Sequence, residues 1–415
     1  MRALRIWVLQ IGEPLPTRAV REMRTALLCR KLTARGHTVL WWASAFDHLN
    51  KEWLFPDDAR SMIEPSLEIL ALRGCGYAKN ISLRRFVDHR LIARKFRSLA
   101  ETERRPDLIV ASMPTHDLAY EAAVYASKHR VPLVVDVRDP WPDRLVEYAP
   151  SPVRGVVKLL LSRDYWMVRY LFASASSLTS MMDSLLRWAQ ALGGERSTQA
   201  DRTFYLGAAR LEVPRTAPSS KLDFLSGLSD RSVISFVGTF GHHNHPGILA
   251  EAAGRMRHER VHFVLGGSGD FFDEVKSISA GLDNVTLTGW LTEPEIAYLM
   301  SRSILGIVPC NYETDAFPNK TFTYLAAGVP IISSLQGDVR VLLARENIGR
   351  YYPPNDVGCL VEVIRSLMEH PDVLDEMARN AERFFRKELD AAVIYEEFAR
   401  HVELVARGED VKGVR

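Results

Sequence analysis

The chain has 415 residues, of which 47% are apolar and 25% are charged. This length suggests two or three domains with sizeable cores, and the composition excludes wholesale disorder. Because 53 Lys and Arg residues nearly balance 51 Asp and Glu residues, nucleic acid is not an expected partner. No apolar run reaches about 18 residues, so we predict no transmembrane helix. Four separated cysteines without a CxxC pair favour a reducing compartment over a disulfide scaffold or zinc cluster.

The first half of the chain alternates short β-branched runs with longer helical patterns. Its N-terminal apolar run is too short for a signal sequence and predicts a buried first strand. Repetition of strand, helix and strand is typical of a parallel sheet with helices on both faces. We predict strands at residues 5–10, 38–43, 108–112 and 133–137, and helices at residues 17–35 and 117–129.

The same pattern restarts after a stretch that contains Pro, Ser and Arg, at residues 208–227. We therefore predict an α/β fold of two doubly wound Rossmann-like domains, residues 1–207 and 208–385, facing each other across a cleft. Residues 386–415 are predicted to form a C-terminal helix that packs back on the first domain. In the second half we predict strands at residues 233–237, 261–265, 285–287, 305–308 and 329–333, and helices at residues 245–258, 292–301 and 320–327.

Loops that follow the strands are the candidate sites, because ligands bind beyond the carboxyl ends of parallel strands. In the first half, the loop that starts at Gly12 opens a predicted helix and is rich in arginine. A helix N-terminus with guanidinium groups suits an anion, and a solvated arginine face is the alternative. The candidate acceptor- or phosphate-binding residues are Gly12, Arg18, Arg24 and Arg138.

Two further residues of the first half are candidates for acid–base chemistry or acceptor positioning. Asp139 follows a buried strand and is able to orient or deprotonate a hydroxyl group. The alternative for Asp139 is a structural pair with an arginine. His116 follows another strand, and the alternative for this residue is a hydrogen-bonded histidine that caps a helix.

Small residues follow three strands of the second half. Glycines in such turns let backbone amides approach a phosphate or a flat base, although a simple turn explains each one alone. The nearby His242, His243 and His245 do not have the spacing of a common zinc site, so we expect no metal. The candidate phosphate- or base-binding residues in these turns are Gly238, Thr239, Gly241, Gly267, Gly269, Trp290 and Leu291.

Residues 315–333 carry the strongest signal. Pro318 is predicted just inside a helix start, where its missing N–H costs nothing. Asn319 and Lys320 then occupy the first turn, where the helix dipole and the lysine charge favour an anion.

This segment resembles the donor site of retaining, nucleotide-sugar-dependent glycosyltransferases with the GT-B fold. It is similar to family 4-like enzymes of bacterial capsule and O-antigen synthesis, whose donor helix begins Pro-x-Lys and runs into Tyr-x-Ala-Ala-Gly-x-Pro. The resemblance covers nearly the whole chain. It includes Arg24, DVRDPWP at residues 136–142, VGTFG at residues 237–241 and TGWL at residues 288–291.

Two positions depart from that family's pattern. Where the family often has glutamates before and within the donor helix, this chain has Asp315 and Thr323, and Glu313 is an alternative for the first. A threonine makes a weaker contact with the ribose hydroxyls. The change fits a dTDP-sugar donor, whose deoxyribose lacks one hydroxyl, or a weakened enzyme. We favour a UDP-sugar.

The resemblance implies retaining transfer of a sugar to an acceptor hydroxyl in polysaccharide or glycoconjugate synthesis. No metal or other cofactor is expected, since no DxD carboxylate pair is present. Asp315 or Glu313 would contact the transferred sugar, Asp139 and His116 would position the acceptor, and Asn319, Lys320, Thr321 and Thr323 would bind the donor. The acceptor is a glycan, a lipid-linked molecule or a small molecule. The alternatives are an inactive nucleotide-sugar-binding protein and, less favoured, an epimerase or phosphorylase.

Residues 151–172 mix basic residues with Val, Leu, Trp and Tyr. This pattern fits a core-packing helix whose basic side chains reach the solvent. The alternative is a helix that lies on an anionic bilayer and meets a lipid-linked acceptor. We therefore expect a cytoplasmic protein, with peripheral contact at the inner face of the membrane as the alternative placement.

Overall fold

The computed structural model describes residues 2–16 and 22–409. The chain divides into two compact units, of which the second is Leu206–Val393. The first unit combines Met1–Tyr205 with Ile394–Arg415. The second boundary therefore lies eight residues after the position predicted from the sequence, 393 against 385.

The first unit contains an eight-stranded sheet, a separate antiparallel pair of short strands at Phe46–Asp47 and Glu52–Trp53, and covering helices. Its strands are β1 Arg5–Leu9, β2 Thr38–Ser44, β3 Phe46–Asp47, β4 Glu52–Trp53, β5 Ala59–Glu64, β6 Leu67–Leu72, β7 Leu108–Met113, β8 Leu133–Val137, β9 Ser177–Ser180 and β10 Arg202–Thr203. Its helices before the second unit are α1 Arg24–Ala34, α2 Leu83–Leu99, α3 His116–His129, α4 Asp143–Glu147, α5 Arg154–Leu160, α6 Ser162–Ala173 and α7 Asp183–Gly193.

The eight-stranded sheet has the order β10-β9-β8-β7-β1-β2-β6-β5. Its neighbours pair in parallel except β5 and β6, which are antiparallel. Strand order reverses between β1 and β7, so the loops that follow these two strands lie side by side at the carboxyl edge.

The second unit contains a six-stranded, all-parallel sheet with the order β13-β12-β11-β14-β15-β16. Its strands are β11 Ser232–Val237, β12 Val261–Gly266, β13 Val285–Gly289, β14 Ser303–Val308, β15 Ile331–Ser333 and β16 Gly349–Tyr351. Its helices are α8 Gly247–Arg255, α9 Phe272–Ile278, α10 Glu293–Arg302, α11 Asn319–Ala326, α12 Gly337–Arg345, α13 Val357–Glu369 and α14 Pro371–Phe384. Both sheets confirm the predicted doubly wound α/β class.

Helix α15, Ala391–Arg407, connects the second unit to the last part of the first. The Phe398 ring stacks on the Phe204 ring with centroids 4.6 Å apart. Glu403 accepts hydrogen bonds from Arg35, and its carboxylate lies 2.6 Å from His37 Nε2. These contacts hold the end of the chain on the first unit.

Several predicted helix limits need correction. The first helix begins at Arg24, and residues 17–21 of the prediction lie outside the described residues. The helix predicted at residues 245–258 is the shorter α8. Pro318 lies at the N-cap position and not inside the helix, and α11 runs from Asn319 to Ala326 where residues 320–327 were predicted.

Residues 151–172 form two helices in different surroundings. Helix α6 buries Tyr165, Val168 and Leu171, as the core-packing interpretation predicts. None of the seven residues of α5, all of which the structure describes, is buried, so that interpretation is wrong for α5. Within residues 2–16 and 22–409, no helix has the length and apolar character needed to cross a membrane.

Candidate functional site

Two glycine-containing loops pair closely at the carboxyl edge of the second sheet. The Gly238 amide donates a hydrogen bond to Gly266 O (2.9 Å), and the Phe240 amide donates one to Ser268 O (3.0 Å). Gly267 has a φ of +147°, and a Cβ there would lie 1.8 Å from Gly238 O. Only glycine allows this approach, because any side chain would collide with the neighbouring backbone. The two loops therefore form one rigid surface.

Helix α11 begins beside this surface. The Tyr324 hydroxyl accepts a hydrogen bond from the Val237 amide (2.9 Å), which ties the helix to the end of β11. Tyr324 is fully buried, and a Cβ on Gly306 would lie 2.6 Å from its ring. Sequence reasoning missed Tyr324 as a positioning residue, although it begins the Tyr-x-Ala-Ala-Gly string.

Lys320 lies in the first turn of α11 and points at the glycine loops. A Cβ added to Gly238 would lie 2.9 Å from Lys320 Nζ. This Nζ atom is buried, and no described residue gives it a hydrogen-bond partner. Its nearest aromatic neighbour is Phe236, whose ring centroid is 4.3 Å away. Burial lowers the pKa of Lys320 to about 7, because the ammonium has lost water without gaining a carboxylate.

The two threonines of α11 differ in whether their hydroxyl groups have a hydrogen-bond partner. The buried Thr321 Oγ1 has no hydrogen-bond partner among the described residues. Thr323 Oγ1 donates to Asn319 O over 3.4 Å, within its own helix. Both Asn319 and Thr239 are exposed, and Gly241 is partly exposed. Lys320 and Thr321 therefore offer the unpaired polar atoms at this end of the helix.

The turn after β13 contributes one exposed and one buried residue. The Trp290 side chain is 62% exposed, and its carbonyl oxygen accepts a hydrogen bond from Lys221. Leu291 is buried, and its Cδ1 would lie 2.8 Å from a Cβ on Gly266. The Leu291 side chain fills the space under Gly266. A contact through the Leu291 backbone stays a prediction.

The Asp315 carboxylate lies at the start of the next helix, α12. Its Oδ1 accepts a hydrogen bond from the Asp338 amide (3.2 Å) at the start of α12. A Cβ on Gly337, which has a φ of +63°, would lie 2.1 Å from the same carboxyl group. The carboxylate therefore caps α12, which argues against its predicted catalytic role. Glu313 is exposed.

The arginines predicted to bind an anion in the first unit are engaged by carboxylates. Arg24 donates two hydrogen bonds to Asp136, of 2.9 and 2.8 Å, and another to Phe204 O. Arg138 donates to Asp136 over 2.7 Å and pairs with Glu13. Burial alone would raise the pKa of Asp136, but the charges of Arg24 and Arg138 hold it below its usual range.

This pairing argues against the predicted role of Arg24 and Arg138 in holding a ligand anion. Their two positive charges are balanced by Asp136 and Glu13, and Arg24 is almost fully buried. The Gly12 amide also has a local partner, Gln10 Oε1, at 2.7 Å. Arg18 lies outside the described residues.

His116 and Asp139 both lie next to Trp141. The Trp141 indole donates to Asp139 Oδ2 (3.1 Å), and its ring centroid is 6.2 Å from that of His116. His116 Nε2 lies 2.6 Å from Asp164 Oδ1, and its buried Nδ1 has no partner among the described residues. The structure therefore brings these two predicted residues together. We call His116, Asp139, Trp141 and Asp164 the Trp141 cluster.

Among the described residues, no group of three or more His, Cys, Asp and Glu side chains is arranged to hold a metal ion.

Two family models match the chain, one over each unit. The 4-like domain of the glycosyl transferases matches residues 22–200, and the glycosyl transferases group 1 model matches residues 231–370. Two Rossmann-like units, each with loops at the carboxyl ends of its parallel strands, define the class of doubly wound α/β proteins. With these matches, the chain belongs to the GT-B glycosyltransferases of the family 4-like type.

Curated relatives of this chain are sugar transferases of several kinds. The O-antigen chain mannosyltransferase C of Escherichia coli is 29% identical over 37% of this chain and 41% of its own length. The alpha-D-kanosaminyltransferase of Streptomyces kanamyceticus is 24% identical over 60% of this chain and 65% of its own length. The matches thus span less than two thirds of either relative.

Solved structures with the same fold cover almost the entire chain. The Anabaena protein HepE in complex with UDP superposes with a TM-score of 0.63 and 16% identity, over 96% of this chain and 99% of that one. Sucrose-phosphate synthase from Thermosynechococcus elongatus gives a TM-score of 0.69 at 16% identity, over 98% and 100%. At this identity the likeness establishes the fold alone.

The buried Arg24–Asp136 pair predicts a large stability loss in Asp136→Asn. Removing the carboxylate leaves two guanidinium groups undercompensated, which costs about 3–5 kcal/mol in the free energy of unfolding. Because the pKa of Asp136 is depressed on folding, its contribution is present above about pH 4 and is lost as the pH falls further. Urea unfolding at several pH values measures both effects. The exposed pair of Lys128 and Glu101 gives the control Glu101→Gln, and an equal loss in both variants would contradict the account.

The paired glycine loops predict that Gly267→Ala is far more disruptive than Gly281→Ala. Both glycines have positive φ, but a Cβ on Gly281 meets nothing within 4 Å. We expect Gly281→Ala to cost about 1–2 kcal/mol from its backbone conformation, and Gly267→Ala about 3 kcal/mol or more because a collision is added. Chemical denaturation measures the difference, and equal costs would show that the loops are not held this closely.

Proposed function

We propose that the protein transfers a sugar from a nucleotide-diphosphate donor to an acceptor hydroxyl with retention of configuration. The observation that carries this proposal is the buried, unpaired ammonium of Lys320 at the amino end of α11. A buried charge without a partner is costly, and it is retained where a ligand supplies the opposite charge.

The donor diphosphate is assigned to the amino end of α11 and the glycine loops beside it. The amino end of α11 adds a positive dipole to the lysine charge, and glycine backbones allow a phosphate to come close. These groups would stabilise the diphosphate as it leaves, because their positive potential is fixed before the reaction begins. The proposal gives this task to protein groups and requires no divalent ion or other cofactor.

UDP is the favoured nucleotide, and dTDP is the alternative. Thr323 occupies the position where the family often has a ribose-binding glutamate. Its hydroxyl already donates to Asn319 O, which leaves only acceptor capacity for a sugar hydroxyl. A dTDP donor, whose deoxyribose has one hydroxyl fewer, would lose less binding free energy than a UDP donor where Thr323 replaces the glutamate.

Retention implies attack from the face that the diphosphate leaves. The bond from the anomeric carbon to the phosphate oxygen breaks, and the bond to the acceptor oxygen forms on the same side. The acceptor proton passes to the departing phosphate oxygen. This route uses no carboxylate nucleophile, so it is compatible with the position of Asp315, whose carboxylate caps α12.

The Trp141 cluster is proposed to position the acceptor. Asp164 accepts from His116 Nε2 in one tautomer, which makes Nδ1 the hydrogen-bond acceptor for a hydroxyl group. Asp139 adds a partly exposed carboxylate that accepts a hydrogen bond from the Trp141 indole. The acceptor class is a glycan, a lipid-linked molecule or a small molecule.

A cytoplasmic role in bacterial polysaccharide or glycoconjugate synthesis is part of the proposal. All four cysteines are free, which fits a reducing compartment. The curated relatives include an O-antigen mannosyltransferase, which acts on bacterial surface glycans by its name.

The second candidate is a nucleotide-sugar-binding protein without turnover. The capping role of Asp315 and the threonine at position 323 favour it. An assay of nucleotide release with a panel of UDP-, dTDP-, GDP- and ADP-sugars separates the two candidates. Release that depends on an added acceptor supports transfer, whereas binding of a sugar nucleotide without release supports the second candidate.

Lys320→Met is predicted to lower nucleotide release by a factor of about 100 or more, the usual cost of losing one preorganised group that stabilises developing charge. The same variant should stabilise the ligand-free protein. Because folding lowers the pKa of Lys320 from about 10.5 to about 7, wild-type stability falls as the pH decreases through that interval. The methionine variant should lack this dependence.

Thermal unfolding between about pH 7 and about pH 10 measures the stability effect. Lys276→Met is the matched control, because Lys276 is an exposed lysine of the same unit. Lys320→Met with unchanged release and an intact fold would remove Lys320 from the donor site.

A further inference from the structure

Exposed apolar side chains are concentrated in two segments of the first unit. Among the residues that the structure describes, 17 large apolar side chains are exposed, and nine of them lie within residues 81–87 and 148–166. The most exposed are Leu83 at 85%, Leu160 at 75% and Leu159 at 72%. Single exposed apolar residues are ordinary, but two such groups mark a surface that meets something apolar.

Helix α5 is the clearest part of this surface. Val156, Leu159 and Leu160 are all more than half exposed, and none of the seven described residues of the helix is buried. A helix this short gains little from its own hydrogen bonds and normally depends on packing. Packing within the described chain therefore does not explain why these side chains of α5 are apolar.

The charge of both segments points to an anionic occupant. Residues 148–166 contain Arg154, Lys158 and Arg163, and their one acidic residue, Asp164, is buried beside His116. Residues 81–87 contain Arg84 and Arg85 and no acidic residue. A second copy of the chain would bring like charges together across a symmetric interface. Apolar side chains beside basic ones instead match the acyl and headgroup layers of an anionic bilayer.

Contacts within the first unit place both segments next to the Trp141 cluster. The guanidinium carbon of Arg85, at the start of α2, lies 4.9 Å from the centroid of the Trp141 ring. Asp164, four residues after the end of α5, lies 2.6 Å from His116. The two segments therefore flank the same part of the unit.

We propose that residues 81–87 and 148–163 form one docking surface for an anionic lipid bilayer. Leu83, Leu159 and Leu160 enter the headgroup boundary, while Lys158 and its basic neighbours meet lipid phosphates. Docking holds the Trp141 cluster at the membrane, where a lipid-linked acceptor presents its hydroxyl group. The assignment of the acceptor rests on the proposed function, whereas docking itself does not.

Flotation of the full chain with lipid vesicles tests the proposal. The probes are vesicles of phosphatidylcholine alone and vesicles with about 30% phosphatidylglycerol, at about 0.05 M and about 0.5 M salt. We expect the wild type to bind the anionic vesicles and to lose several-fold in partitioning at high salt. The double variant Leu159→Ser/Leu160→Ser should lose about tenfold or more, and Lys158→Glu should lose binding mainly at low salt.

Val341→Ser is the matched control, because Val341 is a 59% exposed valine on α12 of the second unit. It should bind vesicles like the wild type. Since all substituted side chains are exposed, circular dichroism and UDP-induced thermal shifts should stay unchanged in each variant.

Three outcomes would overturn the proposal. In the first, the wild type does not bind anionic vesicles. In the second, the double leucine variant binds them as well as the wild type. In the third, the wild type is a dimer in the absence of vesicles and the double leucine variant is a monomer. The last result would identify a second copy as the occupant. Vesicle binding without any nucleotide release would defeat the proposed function and leave the docking surface standing.

Discussion

An ammonium group without a counter-ion is the constraint on which the second unit depends. Lys320 Nζ is buried against Phe236 and the Gly238 turn, and the described chain offers it no acceptor. The fold tolerates this cost because Tyr324 fixes α11 under β11 and glycine backbones fix the loops above. A buried ammonium without a partner lowers the stability of the ligand-free protein, and a bound anion would recover part of that free energy.

In contrast to Lys320, Arg24 and Arg138 of the first unit have carboxylate partners. Arg24, Arg138, Asp136 and Glu13 neutralise one another under the strand edge. A ligand anion there would have to displace a carboxylate. The Trp141 cluster differs, because the Nδ1 atom of its histidine is left without a partner among the described residues. The second unit thus offers a cationic group, whereas the first unit offers neutral or acidic hydrogen-bonding groups.

Much of the fold was predictable, because buried parallel strands are short apolar runs that repeat with helices between them. Predictions failed where the pattern is weak. Strand β5 and helix α2 carry many charged residues, so neither shows a clear apolar period. The site was predictable only in part. Residue type and position identified Lys320, but no local pattern shows that a buried carboxylate will capture Arg24, since Asp136 lies 112 residues away.

The most direct test of this account is isothermal titration calorimetry of UDP binding at about pH 8.5, in buffers of different ionisation enthalpy. With a pKa of about 7, Lys320 is mostly neutral at that pH and must regain its proton when the diphosphate binds beside it. The account predicts uptake of about one proton per bound UDP, and almost none in Lys320→Met. UDP binding at pH 8.5 without proton uptake would contradict it.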